Sequence, residues 1–249
     1  MPRQTHITPK QIAQQALQHL QAAANPRAAA QSSVYFKSHE QVEFFGVAAA
    51  ALHQLARALH QQVKADWTAV EARACCESLL KHTHQEARTV GILLLARFHK
   101  TFTPDLLDAA EIWLVKNYCD NWALVDSLAP SVIAPLLRRH LDLLPHTARW
   151  TQAENLWLRR ASLVALIPLA RKGEQLDLAY TNAVRLFAAP EDLIHKATGW
   201  LLREAGKTDM PRLRAFLLQH GPRIPRTALR YAIERFPAAE RKTLLTQTR

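Results

Sequence analysis

Trp122 and Asp126 lie four residues apart in the stretch DNWALVDSLAP, which covers residues 120–130. If this stretch is helical, the indole and the carboxylate share one face, one turn apart. An indole face attracts cations by about 0.5–2 kcal/mol, and a carboxylate stabilises positive charge that develops beside it. The pair is therefore suited to a cationic substrate or a cationic transition state.

The charge balance of the chain indicates what such a substrate would be attached to. Lys and Arg number 32 against 21 for Asp and Glu, which gives a formal charge of +11 and a pI near 10.0. An excess of this size favours a polyanionic partner, with nucleic acid ahead of an anionic membrane. A carboxylate on that surface is repelled by phosphate unless a positive charge faces it. A purine alkylated at N3 or N7 carries that charge, and its departure leaves an oxocarbenium-like sugar.

Two further stretches combine cations with aromatic rings. Lys196, Trp200 and Arg203 are spaced by four and three residues, so they share one helix face. Arg159 and Arg160 follow a tryptophan in LWLRRAS. We expect both groups to converge with the Trp–Asp pair on one concave surface.

Helix is the expected secondary structure along the whole chain. Ala and Leu dominate the composition and Gly occurs six times in 249 residues, which favours helix over sheet. Apolar residues recur at three- and four-residue spacings in DLAYTNAVRLFA and HKATGWLLREA, and Pro or Gly residues separate the segments. These patterns predict an all-α fold.

A repeat is visible within this helical pattern. Similar segments begin at Arg88, Arg160, Lys196 and Arg226, with separations of 72, 36 and 30 residues, and the longest gap leaves room for a unit near position 124. The period predicts an α-solenoid of HEAT-like helix pairs. We expect a single domain over residues 1–249, with an N-terminal helical cap over residues 1–62, whose turn is AAANPRAAAQSS, and tandem repeats over residues 63–249.

Each aligned unit opens its second helix with a basic residue. Stacked along a solenoid, such residues could follow a phosphate backbone, so we predict Arg88, Lys196 and Arg226 as DNA contacts beside the arginines of LWLRRAS. The alternative is that these side chains pack between repeats or bond helix carbonyls.

Composition also bears on compartment and cofactors. The three cysteines, Cys75, Cys76 and Cys119, form no C-x-x-C pair, and the histidines show no metal-ligand spacing. Neither a long apolar run nor a secretory signal occurs. We expect a cytoplasmic monomer that contacts no membrane and needs neither metal nor cofactor.

The stretches NWALVDS, LWLRRA and HKATGWLLREAGK resemble the AlkD-type DNA alkylation repair glycosylases. The resemblance runs from about residue 85 to 240, with weaker similarity around YFKSHEQVEFFGV. It implies a fold of HEAT-like repeats. It also implies hydrolysis of the N-glycosidic bond of cationic N3- or N7-alkylpurines in duplex DNA, without full extrusion of the base.

The resemblance also assigns roles to individual residues. It implies Asp126 as the catalytic carboxylate, which would stabilise the oxocarbenium-like transition state and position water. Trp122 and Trp200 become the site tryptophans, Arg160 and Arg203 the DNA-contacting arginines, and Tyr35 a DNA-facing tyrosine of the N-terminal region. Ala123 departs from the family pattern, in which an acidic residue often follows the tryptophan; this departure bears on substrate range. The neighbouring Arg159 is the alternative to Arg160 as the phosphate contact.

Lysine chemistry separates two types of glycosylase. No lysine stands beside Asp126 as an obvious Schiff-base nucleophile, which predicts a monofunctional enzyme that leaves the strand intact. Two alternatives stay open. One is a non-catalytic HEAT-repeat protein that binds bent or branched DNA, and the other is a solenoid that binds an acidic peptide. A carboxylate at position 126 is needed by neither.

Overall fold

The computed structural model describes residues 7–36 and 42–248. These residues form helices joined by short turns, and no β-strand occurs among them; Glu43 and His84 form one isolated bridge. The all-α prediction is therefore confirmed, and the fold is of the α-solenoid class. Within the described ranges, no helix is both long enough and apolar enough to cross a bilayer.

The chain groups into two compact units. Unit 1 contains the described residues up to Leu106 together with Lys116–Val132. Its helices are α1 (Pro9–Ala22), α2 (Pro26–Ser33), α3 (Ala49–Val63), α4 (Ala69–Leu80), α5 (Gln85–Ala96) and α7 (Trp122–Leu128). Its core lies where α5 packs against α3, α4 and α7, and it includes Cys76, Leu79 and Leu94.

Unit 2 contains Leu107–Val115 and the described residues from Ile133 onward. The first segment is most of α6 (Asp105–Val115). The other helices are α8 (Ala134–Arg139), α9 (Leu144–Trp150), α10 (Leu156–Val164), α11 (Ile167–Ala170), α12 (Leu176–Arg185), α13 (Asp192–Ala205), α14 (Met210–His220), α15 (Arg226–Ala232) and α16 (Ala238–Gln247). Its core includes Trp150, Leu163 and Leu201. A single domain over the whole chain stays a prediction.

The repeat predicted from sequence corresponds to actual helices. The five expected units fall on α5, α7, α10, α13 and α15. Side-chain bonds within each unit span about one period: Arg73 reaches Asp105, Arg159 reaches Glu191 and Arg171 reaches Glu204, over 32, 32 and 33 residues. These bonds therefore join one repeat to the next.

The N-terminal cap differs from the prediction at one place. The stretch AAANPRAAAQSS was expected to be a turn, but most of it is α2, and only Ala23–Asn25 turn. The Asn25 side chain accepts a hydrogen bond from the Ala28 N–H, and Pro26 occupies the first helical position. Asn-Pro here starts a helix, because proline is tolerated where the first N–H has no helical partner.

Candidate active site

The Trp–Asp pair opens α7 in unit 1. Trp122 is the first residue of the helix and Asp126 lies one turn later. Leu124, Val125 and Leu128 are fully buried, whereas the tryptophan and the aspartate are each half-buried. The helical stretch expected from sequence is therefore present, and it keeps the indole and the carboxylate within reach of solvent.

A buried polar network fixes the start of α7 against α5. The Asn121 side chain is fully buried; its oxygen accepts from the Leu124 N–H at 3.1 Å and its amide donates to Gln85 Oε1 at 2.9 Å. Arg88, also buried, donates to Asp120 Oδ1 at 2.7 Å and to the Thr83 carbonyl at 3.3 Å. Buried hydrogen bonds of this kind restrict the geometry of the groups that they join. The network therefore sets where the Trp–Asp pair is presented.

Proline interrupts the helix just beyond the carboxylate. Pro130 has no N–H, so it cannot bond the carbonyl of Asp126, and its ring crowds that carbonyl. Ala129–Ile133 accordingly forms a π-helical segment between α7 and α8. Such segments occur frequently at functional sites, and this one begins three residues after the candidate catalytic acid.

Residues that precede α3 cover one side of Trp122. The Phe36 ring stacks on the indole with 5.4 Å between centroids and an 18° interplanar angle, and Phe44 contacts Phe36 at 5.4 Å. Tyr35, the predicted DNA-facing tyrosine, is 78% exposed. Residues 37–41, in the middle of the family-like stretch YFKSHEQVEFFGV, lie outside the described residues.

The segment that carries Phe44 is itself held by a buried acid. The Glu86 carboxylate of α5 accepts the N–H groups of Phe45, Gly46 and Val47 at 3.0, 2.7 and 3.1 Å. A side chain at Gly46 would meet the Asn25 carbonyl at 2.2 Å, and the residue has a positive φ of 79°. This position therefore requires glycine. Together with the three hydrogen bonds to Glu86, it fixes the backbone of residues 45–47 against α5.

In unit 2, the arginines of LWLRRAS bond within the protein. Asn155 caps α10 by accepting from the Trp157 and Leu158 N–H groups. Arg159 forms a two-point ion pair with Glu191, at 2.5 and 3.3 Å. Arg160 is buried and donates to the Leu193 carbonyl at 2.5 Å. Both side chains tie α10 to the start of the next repeat.

The cation–indole–cation face predicted in HKATGWLLREA lies on α13. Trp200 is half-buried there. Gly199 precedes it and lets α13 approach α15 closely, since an added Cβ would lie 2.4 Å from the Ala228 oxygen. Lys196, 43% exposed, pairs with Asp192 at 2.8 Å; this hydrogen bond lowers the pKa of Asp192 and raises that of Lys196. Arg203 pairs with Glu234 and, at 3.5 Å, with Glu204.

Three of the aligned basic residues form hydrogen bonds within the protein, of the kind that the packing alternative expects. Arg88 bonds a carbonyl and Asp120, Arg160 bonds the Leu193 carbonyl, and Arg226 donates to the carbonyls of Thr248 and Leu245 at 3.3 and 3.0 Å. Lys196 keeps its charge at the surface beside Asp192. DNA contacts by these residues stay a prediction.

Sequence reasoning missed several residues that hold the pair in place. Phe36, Gln85, Glu86 and Asn121 act through partners some 36 to 41 positions away, or through ring stacking. An available signal was the asparagine directly before Trp122, since Asn is a favoured N-cap. The expected convergence of the Trp–Asp pair with Arg160 and Trp200 concerns both units and stays a prediction.

Comparison with known proteins gives two findings. The family model described as DNA alkylation repair enzyme matches residues 16–236. A solved structure, described as a predicted DNA alkylation repair enzyme from Enterococcus faecalis, is similar with a TM-score of 0.75 and 23% sequence identity, over 86% of this chain and 97% of that one. At this identity the structural likeness shows the fold alone. No curated protein matches the chain.

Proposed function

Because the chain belongs to the family of DNA alkylation repair enzymes, we propose that it hydrolyses the N-glycosidic bond of cationic N3- or N7-alkylated purines in duplex DNA. The observation that carries the proposal is the Trp–Asp pair, half-buried on one face of α7 and fixed by the buried Asn121 network. This geometry presents an anion and an indole to a ligand on a protein of net charge +11.

The proposed reaction breaks the bond between C1′ of the sugar and N9 of the alkylpurine. The bonding electron pair moves onto the base, which cancels its positive charge, and C1′ becomes oxocarbenium-like. The oxygen of a water molecule then bonds to C1′ and its proton passes to Asp126 or to solvent. The products are the free alkylpurine and an abasic site in an intact strand.

Asp126 lowers the barrier through charge. A unit pair at about 4 Å is worth roughly 1 kcal/mol in water and about 4 kcal/mol at an effective dielectric of 20. A half-buried carboxylate lies between these limits, and the charge on C1′ is present only in the transition state. That difference between states makes the interaction catalytic rather than merely binding. Trp122 adds a cation–π contact to the charged base.

Unit 2 contributes the second indole and the phosphate contacts in this proposal. Trp200 provides an aromatic face, and Lys196 of α13 has a more exposed side chain than Arg203, 43% against 19%. Arg159, Arg160 and Arg203 already bond carboxylates or a carbonyl. Their contribution to DNA binding would come from the second donors of each guanidinium or from exchange of partners.

Mass spectrometry of the bases released from alkylated duplex DNA tests the proposal. Wild-type protein should release N3- or N7-alkylpurine, and Asp126→Asn should lose base release by about 10²–10³-fold. Asp126→Asn should bind unmodified duplex at least as well as wild type, because the amide is nearly isosteric and lacks the charge that phosphate repels. Asp108→Asn, at an exposed position of α6, is the control with the same charge change.

Three outcomes would count against it. Wild-type rates in Asp126→Asn would remove the assigned role of that residue. Binding of alkylated DNA without base release would favour the non-catalytic alternative. Strand nicks that form together with the free base would contradict a monofunctional enzyme.

A further inference from the structure

One helix of unit 1 presents basic side chains on a single face. His53, Arg57, His60 and Lys64 follow one another at intervals of four, three and four residues along α3 and its last turn. This spacing places them in one stripe, about 16 Å long at 1.5 Å per residue. The core side of the helix is different and consists of Leu52, Ala56, Leu59 and Val63, all buried.

Arg97, directly after α5, extends this stripe. Arg97 is adjacent to Phe98, whose ring contacts His60, and this contact brings Arg97 to the end of α3. Burial, together with the positive charges of Arg97 and Lys64, lowers the pKa of His60. The His60 ring also meets the Phe98 ring edge-on at 5.0 Å. We call His53, Arg57, His60, Lys64 and Arg97 the basic stripe.

The cations of the basic stripe differ from four of the protein's arginines in having no carboxylate paired with them. Arg73, Arg88, Arg159 and Arg203 each pair with a carboxylate of the protein. Among the described residues, Arg57, Lys64 and Arg97 have no carboxylate partner within 4.0 Å, and α3 contains no acidic residue. The cations of the stripe are therefore available to a ligand.

Two nitrogen atoms of the stripe also lack a hydrogen-bond partner within the described residues. His60 Nδ1 and Arg97 Nε are shielded from solvent and bond to nothing. A shielded donor without an acceptor costs about 1–3 kcal/mol. Arg97 Nε is a donor, and His60 Nδ1 is a donor in the imidazolium form, so a phosphate oxygen that reached either atom would supply the missing acceptor.

We propose that the basic stripe binds the phosphodiester backbone of duplex DNA. Successive phosphates of one strand are about 3.4 Å apart along the axis, so a stripe of this length can follow several of them. The proposal rests on the proposed function in that it takes DNA as the partner. It adds a contact surface that is separate from the Trp–Asp pair and carries no base chemistry.

Salt-dependent binding to unmodified duplex DNA tests the stripe. The triple variant Arg57→Gln, Lys64→Gln, Arg97→Gln should reduce the magnitude of the slope of log K against log salt by about 2–3. A control with the same charge change, Lys10→Gln, Lys81→Gln, Lys116→Gln, alters exposed positions of the same unit and should reduce it by less than about 1. Equal slopes in the two triple variants would overturn the proposal.

A second measurement does not depend on any variant. Proton NMR should show the His60 ring signals shifting and the His60 pKa rising when unmodified duplex is added to wild type, because phosphate favours the charged ring. Unmoved His60 signals at saturating DNA would overturn the proposal. The same shift with inorganic phosphate at constant ionic strength, and no further change with DNA, would mean a site for free anions instead.

These measurements separate the two proposals. Wild-type protein that shows no salt-dependent affinity for duplex DNA would contradict the proposed function itself. Wild-type protein that binds duplex with a steep slope, while the stripe variant keeps that slope, would contradict the stripe alone.

Discussion

At the level of single side chains, the contact between Phe36 and Trp122 ties the N-terminal residues to the candidate active site. Aromatic pairs contribute about 0.5–1.5 kcal/mol beyond the area they bury. We expect Phe36→Ala to lower the affinity ratio of alkylated to unmodified duplex by about 2–10-fold, since the freed indole meets the cationic base less often in the productive orientation. Fluorescence anisotropy with both duplexes measures the ratio.

Phe36→Tyr is the matched control, because it keeps the ring and the stacking surface. It should retain the wild-type ratio. Equal loss of affinity for both duplexes in Phe36→Ala would mean that this ring serves general DNA binding. An unchanged ratio would remove any role for it in recognising the lesion.

The candidate site residues could be identified from the sequence, but the residues that contact and position them could not. The spacing of Trp122 and Asp126 predicted a shared helical face, which α7 provides. Nothing in the sequence pattern placed Phe36 on the indole or Glu86 on the backbone of residues 45–47. Those contacts join positions that are brought together only when the cap folds against α5.

At the level of secondary-structure elements, the orientation of α7 depends on Asn121. Its side chain both caps the helix and bonds the buried Gln85. We expect Asn121→Ala to destabilise the protein by about 2–3 kcal/mol, since it removes an N-cap and leaves a buried acceptor unpaired. The midpoint of urea unfolding measures this loss, and base release should fall with it because the Trp–Asp pair moves.

Asn121→Asp separates the two contributions. Aspartate keeps the capping oxygen but cannot donate to Gln85. Asn121→Asp should therefore lose less stability than Asn121→Ala, and the loss should come from the missing hydrogen bond to α5. Unfolding at the wild-type midpoint in Asn121→Ala would show that α7 is held by apolar packing alone. Rescue of base release in Asn121→Asp would assign the positioning role to the cap.

The boundaries of helices matched the prediction where apolar periodicity and the terminating Gly agreed. Periodic spacing predicted helix in HKATGWLLREA, and α13 covers it, with Gly206 at its C-cap. The π-helical segment at Ala129–Ile133 was not foreseen, because a proline within an apolar run indicates disruption but not the form it takes. The helix after Asn25 was missed because the same Asn-Pro pair occurs in turns.

At the level of the whole molecule, several arginines join one repeat to the next through ion pairs. Arg73, Arg88 and Arg159 each reach an acid 32 residues later in the chain. The period of the sequence predicted helices at these intervals, but it could not distinguish an arginine that joins repeats from one that faces DNA. Surfaces without acids, such as the basic stripe, emerge only once these pairs are known.

One of the ion pairs in unit 2 should make the stability of the protein depend on pH. Glu204 of α13 is buried and bonds Arg171 at 2.7 Å as well as Lys207. Burial acts to raise the pKa of Glu204, but the hydrogen bonds from Lys207 and Arg171 outweigh it, and the pKa lies below its ordinary value. The folded carboxyl thus holds its proton less tightly than the unfolded one, whose pKa is about 4.3. Its contribution to stability is fully present above that pH and is lost as pH falls through the folded pKa.

We therefore expect the free energy of unfolding of Glu204→Gln to fall by less than that of wild type between about pH 5 and pH 3. At neutral pH the variant should be less stable by about 2 kcal/mol, because a charge-assisted hydrogen bond is lost. Glu174→Gln breaks the more exposed pair with Arg138 and should cost less than about 1 kcal/mol. Urea unfolding at several pH values compares the three proteins. Parallel curves for wild type and Glu204→Gln would show that this carboxyl contributes equally in its charged and neutral forms, contrary to its position among the cations of Arg171, Arg203 and Lys207.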